Sequence, residues 1–556
     1  MISPHDPDVI YHAANVLFKT EDDGQSWRAI SPDLTRDDES KQQWSGGPIT
    51  GDNTGVEFYG TIFAVAESPL EPGVLWAGSD DGLVHVTRNG GKDWQNVTPR
   101  ELPEWATVVA IEPSRFDAGT AYVVVDAHRL DDETPYLWKT NNYGRKWRRL
   151  TAGLDPEIYL KVVREDSRRA GMLYLGTERG VMVSRNDGKS WQPLKFNMPT
   201  VAIADLAVAD NDLVVGTLGR SAWILDDLTP VREMSDAIGK RDAHLFAPQP
   251  TIRWHYRGAP NEYSDGAGDN PPEGAIITYF LKQEPEEEIT LEILDAGGSI
   301  IRRLSSEQEE PYTTADHPDW DPETELEADL EAVAGMNRAA WNLAHEGPAR
   351  IADARTDVGD PGDGPMVMPG RFTLRLNVAG RSYEQPLEVK PDPRADFDVE
   401  HLRQQTDFNL AVRDRMSEIA EMVETIREAY EQIESSAEDP RDSTATYAEA
   451  SEPVIEILKA IETTLYNPEA KVDYDILAGR GGGAKLYSRY GWLFYGALDH
   501  QGPPTQGMRE VRVELDRELA AQRAALDRVL REDLAQLVAT AGKRNEASIA
   551  PADTPR

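Results

Sequence analysis

Four copies of one short motif constrain the fold of this chain more than any other feature. Each copy has a hydroxyl residue, then Asp or Asn, then Gly and finally Trp, at residues 20–27, 87–94, 140–147 and 184–191. Asp and Asn bond their own backbone, Gly supplies a positive φ, and Trp offers a large apolar face to a neighbouring strand. The motif therefore predicts a tight structural turn between strands. Its defining positions are Asp22, Gly24, Trp27, Asn89, Gly91, Trp94, Asn142, Gly144, Trp147, Asn186, Gly188 and Trp191.

Three short apolar runs precede the second, third and fourth motifs in the same order. Three strands, a tight turn and a fourth strand beginning at Trp form one four-stranded propeller blade. The intervals between successive Trp residues are 67, 53 and 44, which allows loops of different length. The apolar runs are 61–67, 74–78 and 83–87, then 108–111, 120–125 and 137–140, then 160–163, 172–176 and 181–184.

The four turns resemble the Asp boxes of BNR-type β-propellers. The order of features also resembles the sortilin-related, "glycosyl hydrolase-like" bacterial repeat proteins. A degenerate fifth unit at 212–227 is similar to the sequence segment that closes such propellers. The resemblance covers roughly residues 2–230 and implies about five blades. A shared fold does not by itself imply an activity.

Proteins of this family are generally longer at the N-terminus and are exported. The resemblance therefore implies an extracytoplasmic protein, periplasmic or secreted, of which this chain is the C-terminal portion. No strand precedes Ser3 where the repeat requires one. We expect the open blades to associate with a missing N-terminal propeller half or with a second copy in a dimer, since an open fan leaves sheet edges uncovered.

The amino-acid composition disfavours or excludes several classes of function. The net charge of −40 disfavours nucleic-acid binding, because a polyanion would be repelled. It fits either an ordinary acidic extracytoplasmic protein or one adapted to high salt, where screening weakens self-repulsion. The absence of cysteine excludes disulfides and thiolate metal sites, and it departs from the cysteine-rich module of animal sortilins. No apolar run is long enough for a membrane span, and the first residues do not form a secretory signal.

The pattern predicts a mainly β protein with an α C-terminal part. Residues 1–230 are assigned to propeller blades, 231–274 to a connector and 275–392 to an immunoglobulin-like β-sandwich. After 393 the apolar period changes from 2 to 3.6, which predicts an antiparallel helical bundle over 393–545 and a disordered tail over 546–556. The long helices could alternatively pair with a partner as a coiled coil.

Candidate site residues lie in loops at the end of the blades opposite the four turns, where propeller ligands usually bind. Two carboxylates on facing loops could cleave a glycoside, which requires about 5–5.5 Å between them for retention. The catalytic candidates are Asp52, Asp80 and Asp131. The ligand-binding candidates are Asn53, Glu57, Tyr59, Asp81, His128, Arg129 and Asp132.

Simpler interpretations of these residues stay open. The acids suit solvated loop positions in an acidic chain, and His128 suits a loop hydrogen bond because no second His lies nearby. We expect no cofactor, although Asp126, Asp131 and Asp132 could hold calcium. The arginine trio and Tyr/Glu pair of sialidases have no match here.

Three functions are compatible with these sequence features. The first is a non-catalytic propeller scaffold that binds a protein, peptide or glycan at the face opposite the turns. The second is a glycoside hydrolase with paired carboxylates at that face. The third is an assembly subunit that interacts through its helical bundle.

Overall fold

The computed structural model describes residues 1–52, 59–254, 268, 270–307, 328–352, 354–355, 357, 364–394, 398–438, 445–471, 473–498, 500 and 502–541. Its contacts divide the chain into an N-terminal unit, Met1–Met234, and a C-terminal unit, Ser235–Arg556. Among these residues, the first unit has five blade-like sheets and one short hairpin, and the second has two sheets followed by helices. The predicted fold class is confirmed: the chain is mainly β, with propeller-type blades and C-terminal helices.

The blades follow one another along the chain, each with antiparallel neighbouring strands. Blade 1 has β1 (Ile10–Ala13), β2 (Leu17–Thr20) and β3 (Arg28–Ala29), and the hairpin of β4 (Ser45–Gly46) and β5 (Gly51–Asp52) follows. Blade 2 has β6 (Ile62–Glu67), β7 (Leu75–Ser79), β8 (Val84–Thr87) and β9 (Gln95–Asn96). Blade 3 has β10 (Thr107–Pro113), β11 (Ala121–Asp126), β12 (Tyr136–Thr140) and β13 (Arg148–Arg149). Blade 4 has β14 (Leu160–Glu165), β15 (Leu173–Thr177), β16 (Gly180–Ser184) and β17 (Gln192–Leu194). Blade 5 has β18 (Ile203–Ala209), β19 (Asp212–Thr217) and β20 (Ala222–Leu225), after which α1 (Thr229–Glu233) ends the unit.

The four motifs form the same hydrogen-bonded turn in blades 1 to 4. In the first, Thr20 Oγ1 accepts from the Gly24 amide at 2.9 Å, and Asp22 Oδ1 accepts from the Ser26 amide at 2.9 Å. The equivalent pairs of bonds recur in the other three turns at 2.9–3.1 Å. Gly91 has φ +91, and a Cβ there would lie 2.2 Å from the Ile30 carbonyl oxygen of blade 1. Glycine is therefore required both by the turn and by the close approach of the preceding blade.

The motif tryptophans link successive blades. Trp94 Nε1 donates to the Ile30 carbonyl at 2.9 Å, Trp147 Nε1 to the Val97 carbonyl at 2.6 Å, and Trp191 Nε1 to the Leu150 carbonyl at 2.8 Å. Each acceptor lies three positions after the tryptophan of the preceding blade. Trp27 belongs to the first blade and donates to its own turn, at the Gly24 carbonyl, and its side chain is 44% exposed. The same motif thus gives an inter-blade bond wherever a preceding blade is present.

Buried carboxylates provide a second link between blades. Glu165 of blade 4 accepts from Ser114 Oγ of blade 3 at 2.5 Å, from Tyr122 OH at 3.1 Å and from its own Gly171 amide at 3.0 Å. Glu67 of blade 2 accepts in the same manner from Ser3 Oγ at 2.6 Å and from the Gly73 amide at 2.9 Å. Both carboxylates end the first strand of their blade and are buried.

Glu112 is expected to make the stability of the N-terminal unit depend on pH. Burial raises the pKa of Glu112 from 4.5 to about 7, although Arg164 Nη1 lies 3.6 Å away and favours the charged form. Between these values the folded chain binds more protons than the unfolded chain, so the free energy of unfolding falls as pH rises through this window. We expect Glu112→Gln to match the wild type near pH 4 and to exceed its free energy of unfolding by about 2–3 kcal/mol at pH 8. Urea denaturation of both proteins at the two pH values tests this, and an equal difference at both would contradict it.

The C-terminal unit begins with a β-sandwich around one apolar core. One sheet has the order β21-β23-β26 and the other β22-β28-β27-β24-β25. The connector predicted over 231–274 contributes two of these strands, because β21 pairs with β23 and β22 pairs in parallel with β28. The strands are β21 (Ala243–Leu245), β22 (Thr251–Arg253), β23 (Ala275–Leu281), β24 (Thr290–Leu294), β25 (Ile300–Ser305), β26 (Gly335–Trp341), β27 (Gly370–Val378) and β28 (Arg381–Pro391).

The remaining helices pack on one another around a second apolar core. Its buried residues include Ile419 and Val423 of α2, Leu458 of α3, Phe494 of α5 and Leu519 of α6. The helices are α2 (Val399–Glu438), α3 (Ala445–Leu465), α4 (Asp473–Leu477), α5 (Leu486–Leu498), α6 (Gln506–Arg528) and α7 (Leu534–Ala541), with a π-helical turn (Val529–Asp533) between the last two. The apolar stripes predicted from the 3.6-residue period therefore face neighbouring helices of the same chain.

Candidate functional site

The candidate residues lie at the end of the blades that we call the rim face. It carries the loops between the second and third strands and the connections between blades. Because neighbouring strands are antiparallel, the motif turns between the third and fourth strands lie at the opposite end. Asp52 belongs to β5 on the connection from blade 1 to blade 2. Asn53 and Glu57 lie outside the described residues.

Asp80 and Asp81 hold loops of the rim face together. Asp80 Oδ1 accepts from the Gly60 and Thr61 amides at 3.0 and 2.8 Å, and its Oδ2 accepts from Thr61 Oγ1 at 2.9 Å. Asp81 is 1% exposed and accepts from Ser79 Oγ at 2.5 Å and from the Arg36 amide at 2.7 Å. Burial raises the pKa of Asp80, although the three hydrogen bonds from Gly60 and Thr61 favour its charged form.

A second network joins blades 3 and 4 around Asp126. Its Oδ1 lies 2.6 Å from His128 Nδ1 and its Oδ2 accepts from Lys161 Nζ at 2.6 Å. Burial opposes ionisation of Asp126, but these two partners outweigh it and lower its pKa. The His128 ring stacks on Tyr159, with 4.5 Å between ring centroids. His128 is thus fixed by a carboxylate and an aromatic ring.

The other predicted residues of this loop have separate environments. Asp131 follows the 3₁₀ turn His128–Leu130 with φ +63, and its side chain is exposed, as is that of Arg129. Asp132 accepts from the Thr134 amide at 3.0 Å and from Tyr136 OH at 2.8 Å. Within the described part of the chain, no three His, Asp or Glu side chains are grouped to hold a metal ion. The calcium site therefore stays a prediction.

Tyr59 belongs to an aromatic and cationic cluster that sequence reasoning missed. Its ring stacks on Trp105 with 5.8 Å between centroids, and its hydroxyl donates to the Trp105 carbonyl. Arg36 and Lys41 lie 5.0 and 5.3 Å from the centre of the Trp105 ring. Burial raises the pKa of Tyr59 to about 12, helped by the nearby Asp80 and Asp81. Trp105 has φ +67, which is rare for a bulky residue.

A repeated bulge also escaped sequence reasoning. The pairing of the first and second strands shifts by one residue in blades 2 to 5, at Phe63, Val109, Lys161 and Ala204. The first strands β6, β10, β14 and β18 contact one another in succession. Bulges re-aim side chains, which explains why Phe63 is 60% exposed between two buried neighbours. The sequence pattern of these apolar strands does not reveal where the pairing register shifts.

Comparisons with known proteins found similarity to solved structures at low sequence identity. No family model and no curated protein matches it. The GH74 xyloglucanase from Xanthomonas campestris is similar at 14% identity, with 69% of this chain and 63% of that chain covered and a TM-score of 0.33. An ancestral GH74 enzyme is 12% identical, with 70% and 45% covered and a TM-score of 0.30. YCF48 from Cyanidioschyzon merolae is 15% identical, with 30% and 53% covered and a TM-score of 0.23.

The chain spans less than half of two of the GH74 enzymes, 29% of one from Niastella koreensis and 45% of the ancestral enzyme. At these identities and TM-scores the similarity conveys no activity to this chain. Among the described residues, no helix combines the length and apolarity needed to cross a bilayer.

Proposed function

We propose that the N-terminal unit is a non-catalytic propeller scaffold that binds a protein, peptide or glycan at the rim face. The main support for this proposal is the hydrogen bonding of Asp80, whose two carboxylate oxygens accept three hydrogen bonds from Gly60 and Thr61. Asp81, Asp126 and Asp132 are likewise engaged within the blades. Acid and base catalysis requires carboxylates that can reach a substrate, whereas these hold loops in place.

The family relationship is part of the same proposal. The repeated hydrogen bonds of the four turns support assigning them as Asp boxes, and thus support a relationship to BNR-type, sortilin-related propellers. An extracytoplasmic location would follow from that relationship. Association through the helical bundle or with further blades is compatible with a scaffold.

A glycoside hydrolase is the second candidate. The specific observation that favours it is the raised pKa of Asp80, since a general acid must stay protonated near the working pH. Asp131 on the same face is exposed and could act as the second carboxylate. The hydrogen bonds to Asp80 nevertheless favour its charged form, which opposes the role of an acid.

Substitution of Asp80 separates the two functions. We expect Asp80→Ala to lower the free energy of unfolding by about 2–3 kcal/mol, because the Gly60 and Thr61 amides lose their acceptor. Asp131→Asn is the control, because asparagine tolerates the left-handed backbone at this position, and it should change stability by less than about 0.5 kcal/mol. Urea denaturation gives the stability, and product analysis on a broad glycan panel gives the activity. Glycan cleavage by the wild type that Asp80→Asn abolishes without loss of stability would establish the hydrolase instead.

A further inference from the structure

Two partly buried arginines of blade 4 have no acidic partner. Arg169 lies in the turn between β14 and β15, and Arg185 is the second residue of the fourth motif, directly after β16. Because neighbouring strands are antiparallel, these two turns lie at the same end of the blade, opposite the rim face. Across residues 1–52, 59–254 and the described stretches that follow, no carboxylate lies within ion-pair distance of either guanidinium.

The other described arginines of the N-terminal unit have a simpler environment. Most are exposed to solvent, where a charge needs no partner. Each of the others that is partly buried lies within ion-pair distance of a carboxylate. These pairs are Arg36 with Glu104, Arg164 with Glu112 and Arg232 with Asp166. Removing a cation from water without a partner costs free energy, so Arg169 and Arg185 require an explanation in a chain whose net charge is −40.

Neutral acceptors hold the two guanidinium groups next to each other. Arg185 donates from Nε to the Val231 carbonyl at 2.8 Å and from Nη1 to Gln192 Oε1 at 2.6 Å. Arg169 donates from Nη1 to the Arg232 carbonyl and from Nη2 to the Arg185 carbonyl at 3.5 Å. These bonds use only some of the N–H donors that a guanidinium carries, and they neutralise neither charge.

The cluster therefore has a surplus of positive charge. Burial and the neighbouring Arg169 lower the pKa of Arg185, because both disfavour its charged form. Asp166 is fully buried, pairs with Arg232 at 2.8 Å and accepts from neighbouring amides. Its negative charge is thus balanced by Arg232, and the charges of Arg169 and Arg185 are not compensated. An anion bound to both would offset their repulsion.

We propose that Arg169 and Arg185 form a binding site for a tetrahedral oxyanion, a sulfate or phosphate group. Each guanidinium can offer a fork of N–H donors, and the three terminal oxygens of such a group suit two forks better than the two oxygens of a carboxylate. A free anion and an ester on a saccharide present the same oxygens to the arginines, so the test includes both. The site lies at the end of blade 4 opposite the rim face and is independent of the ligand proposed there.

Calorimetric titration of the full chain at constant ionic strength tests the site. The probes are inorganic sulfate, inorganic phosphate, glucose 6-sulfate and acetate. We expect the oxyanions to bind at least about tenfold more tightly than acetate. At about ten times its Kd, inorganic sulfate should also raise the melting temperature of the N-terminal unit by about 3–5 °C. Constant ionic strength separates this rise from general screening of charge.

Substitutions of the two arginines identify the site. Arg169→Gln and Arg185→Gln should each weaken sulfate binding by at least about tenfold, because one fork and one charge are lost. Arg185→Lys keeps the charge without the fork and should weaken binding by about threefold to tenfold. Arg168→Gln is the matched control, because Arg168 is the exposed neighbour of Arg169, and it should leave the Kd within about twofold. Circular dichroism of each variant separates lost binding from lost folding.

A purely structural role for both arginines, as donors to the carbonyls of α1, gives a different result. The glutamine variants would then melt at a lower temperature, but no oxyanion would bind the wild type or raise its melting temperature, and the inference would be wrong. Equal affinity for acetate would reject a tetrahedral ligand, and unchanged sulfate binding in Arg185→Gln would place the site elsewhere. Tighter binding of glucose 6-sulfate than of inorganic sulfate would identify an ester on a saccharide as the ligand, and the reverse order a free anion.

Discussion

Replacing Trp191 with alanine is expected to lower the free energy of unfolding of the N-terminal unit by about 3–5 kcal/mol. Trp191 is 7% exposed in the core of blade 4, and its Nε1 donates to the Leu150 carbonyl of blade 3 at 2.8 Å. The substitution removes a large buried ring and leaves that carbonyl without its partner. Trp191→Phe keeps most of the apolar contact and should cost about 1–3 kcal/mol.

Trp27 provides the matched control, because it occupies the same position of the motif. It is 44% exposed and donates within its own turn, so Trp27→Ala should cost less than about 1 kcal/mol. Hydrogen exchange of the blade amides during urea denaturation gives the free energy of unfolding of the N-terminal unit for both variants. Equal costs at Trp27 and Trp191 would show that the motif acts within its turn and does not link blades.

Replacing Glu165 with alanine should have an effect of similar size, about 3–5 kcal/mol. Its carboxylate is 3% exposed and accepts from Ser114 Oγ, Tyr122 OH and the amides of Arg115 and Gly171, so the change leaves four donors without this acceptor. Ser114→Ala removes only one donor and should cost about 1 kcal/mol. Urea denaturation compares the two variants.

Glu67 supplies an internal test of the same network. It accepts from Ser3 Oγ and the Gly73 amide between blades 1 and 2, so Glu67→Ala should also destabilise the unit by several times the cost of Ser114→Ala. A neutral outcome at both glutamates would contradict the assigned role of these carboxylates.

Local patterns predicted the features that depend on neighbouring residues in the chain. The hydroxyl, Asp or Asn, and Gly of each motif satisfy one another within five residues, so the turns follow from the sequence alone. The apolar runs of two periods likewise predicted the blade strands and the C-terminal helices. Strands β21 and β22 have three residues each and owe their pairing to β23 and β28, which no local pattern reveals.

The candidate site was harder to predict because its contacts are long-range. Asp80 is engaged by Gly60 and Thr61 from the connection that precedes its blade, and Asp126 by Lys161 from the next blade. Sequence reasoning placed Asp80 between the second and third strands of its blade, where the structure has it, but could not supply these partners. The cluster of Arg36, Lys41 and Trp105 brings together two connections between blades that are distant in the sequence. Trp105 has a left-handed backbone, which sequence patterns predict for Gly or Asn but not for Trp.

The most direct test of the scaffold proposal is recovery of the ligand after binding. Each glycan or peptide that the wild-type chain binds would be held at saturating concentration for many hours and then analysed by mass spectrometry. The hydrogen-bonded state of Asp80 predicts that every bound ligand is recovered intact. Release of a shortened glycan that requires Asp80 or Asp131 would contradict the proposal and establish a hydrolase.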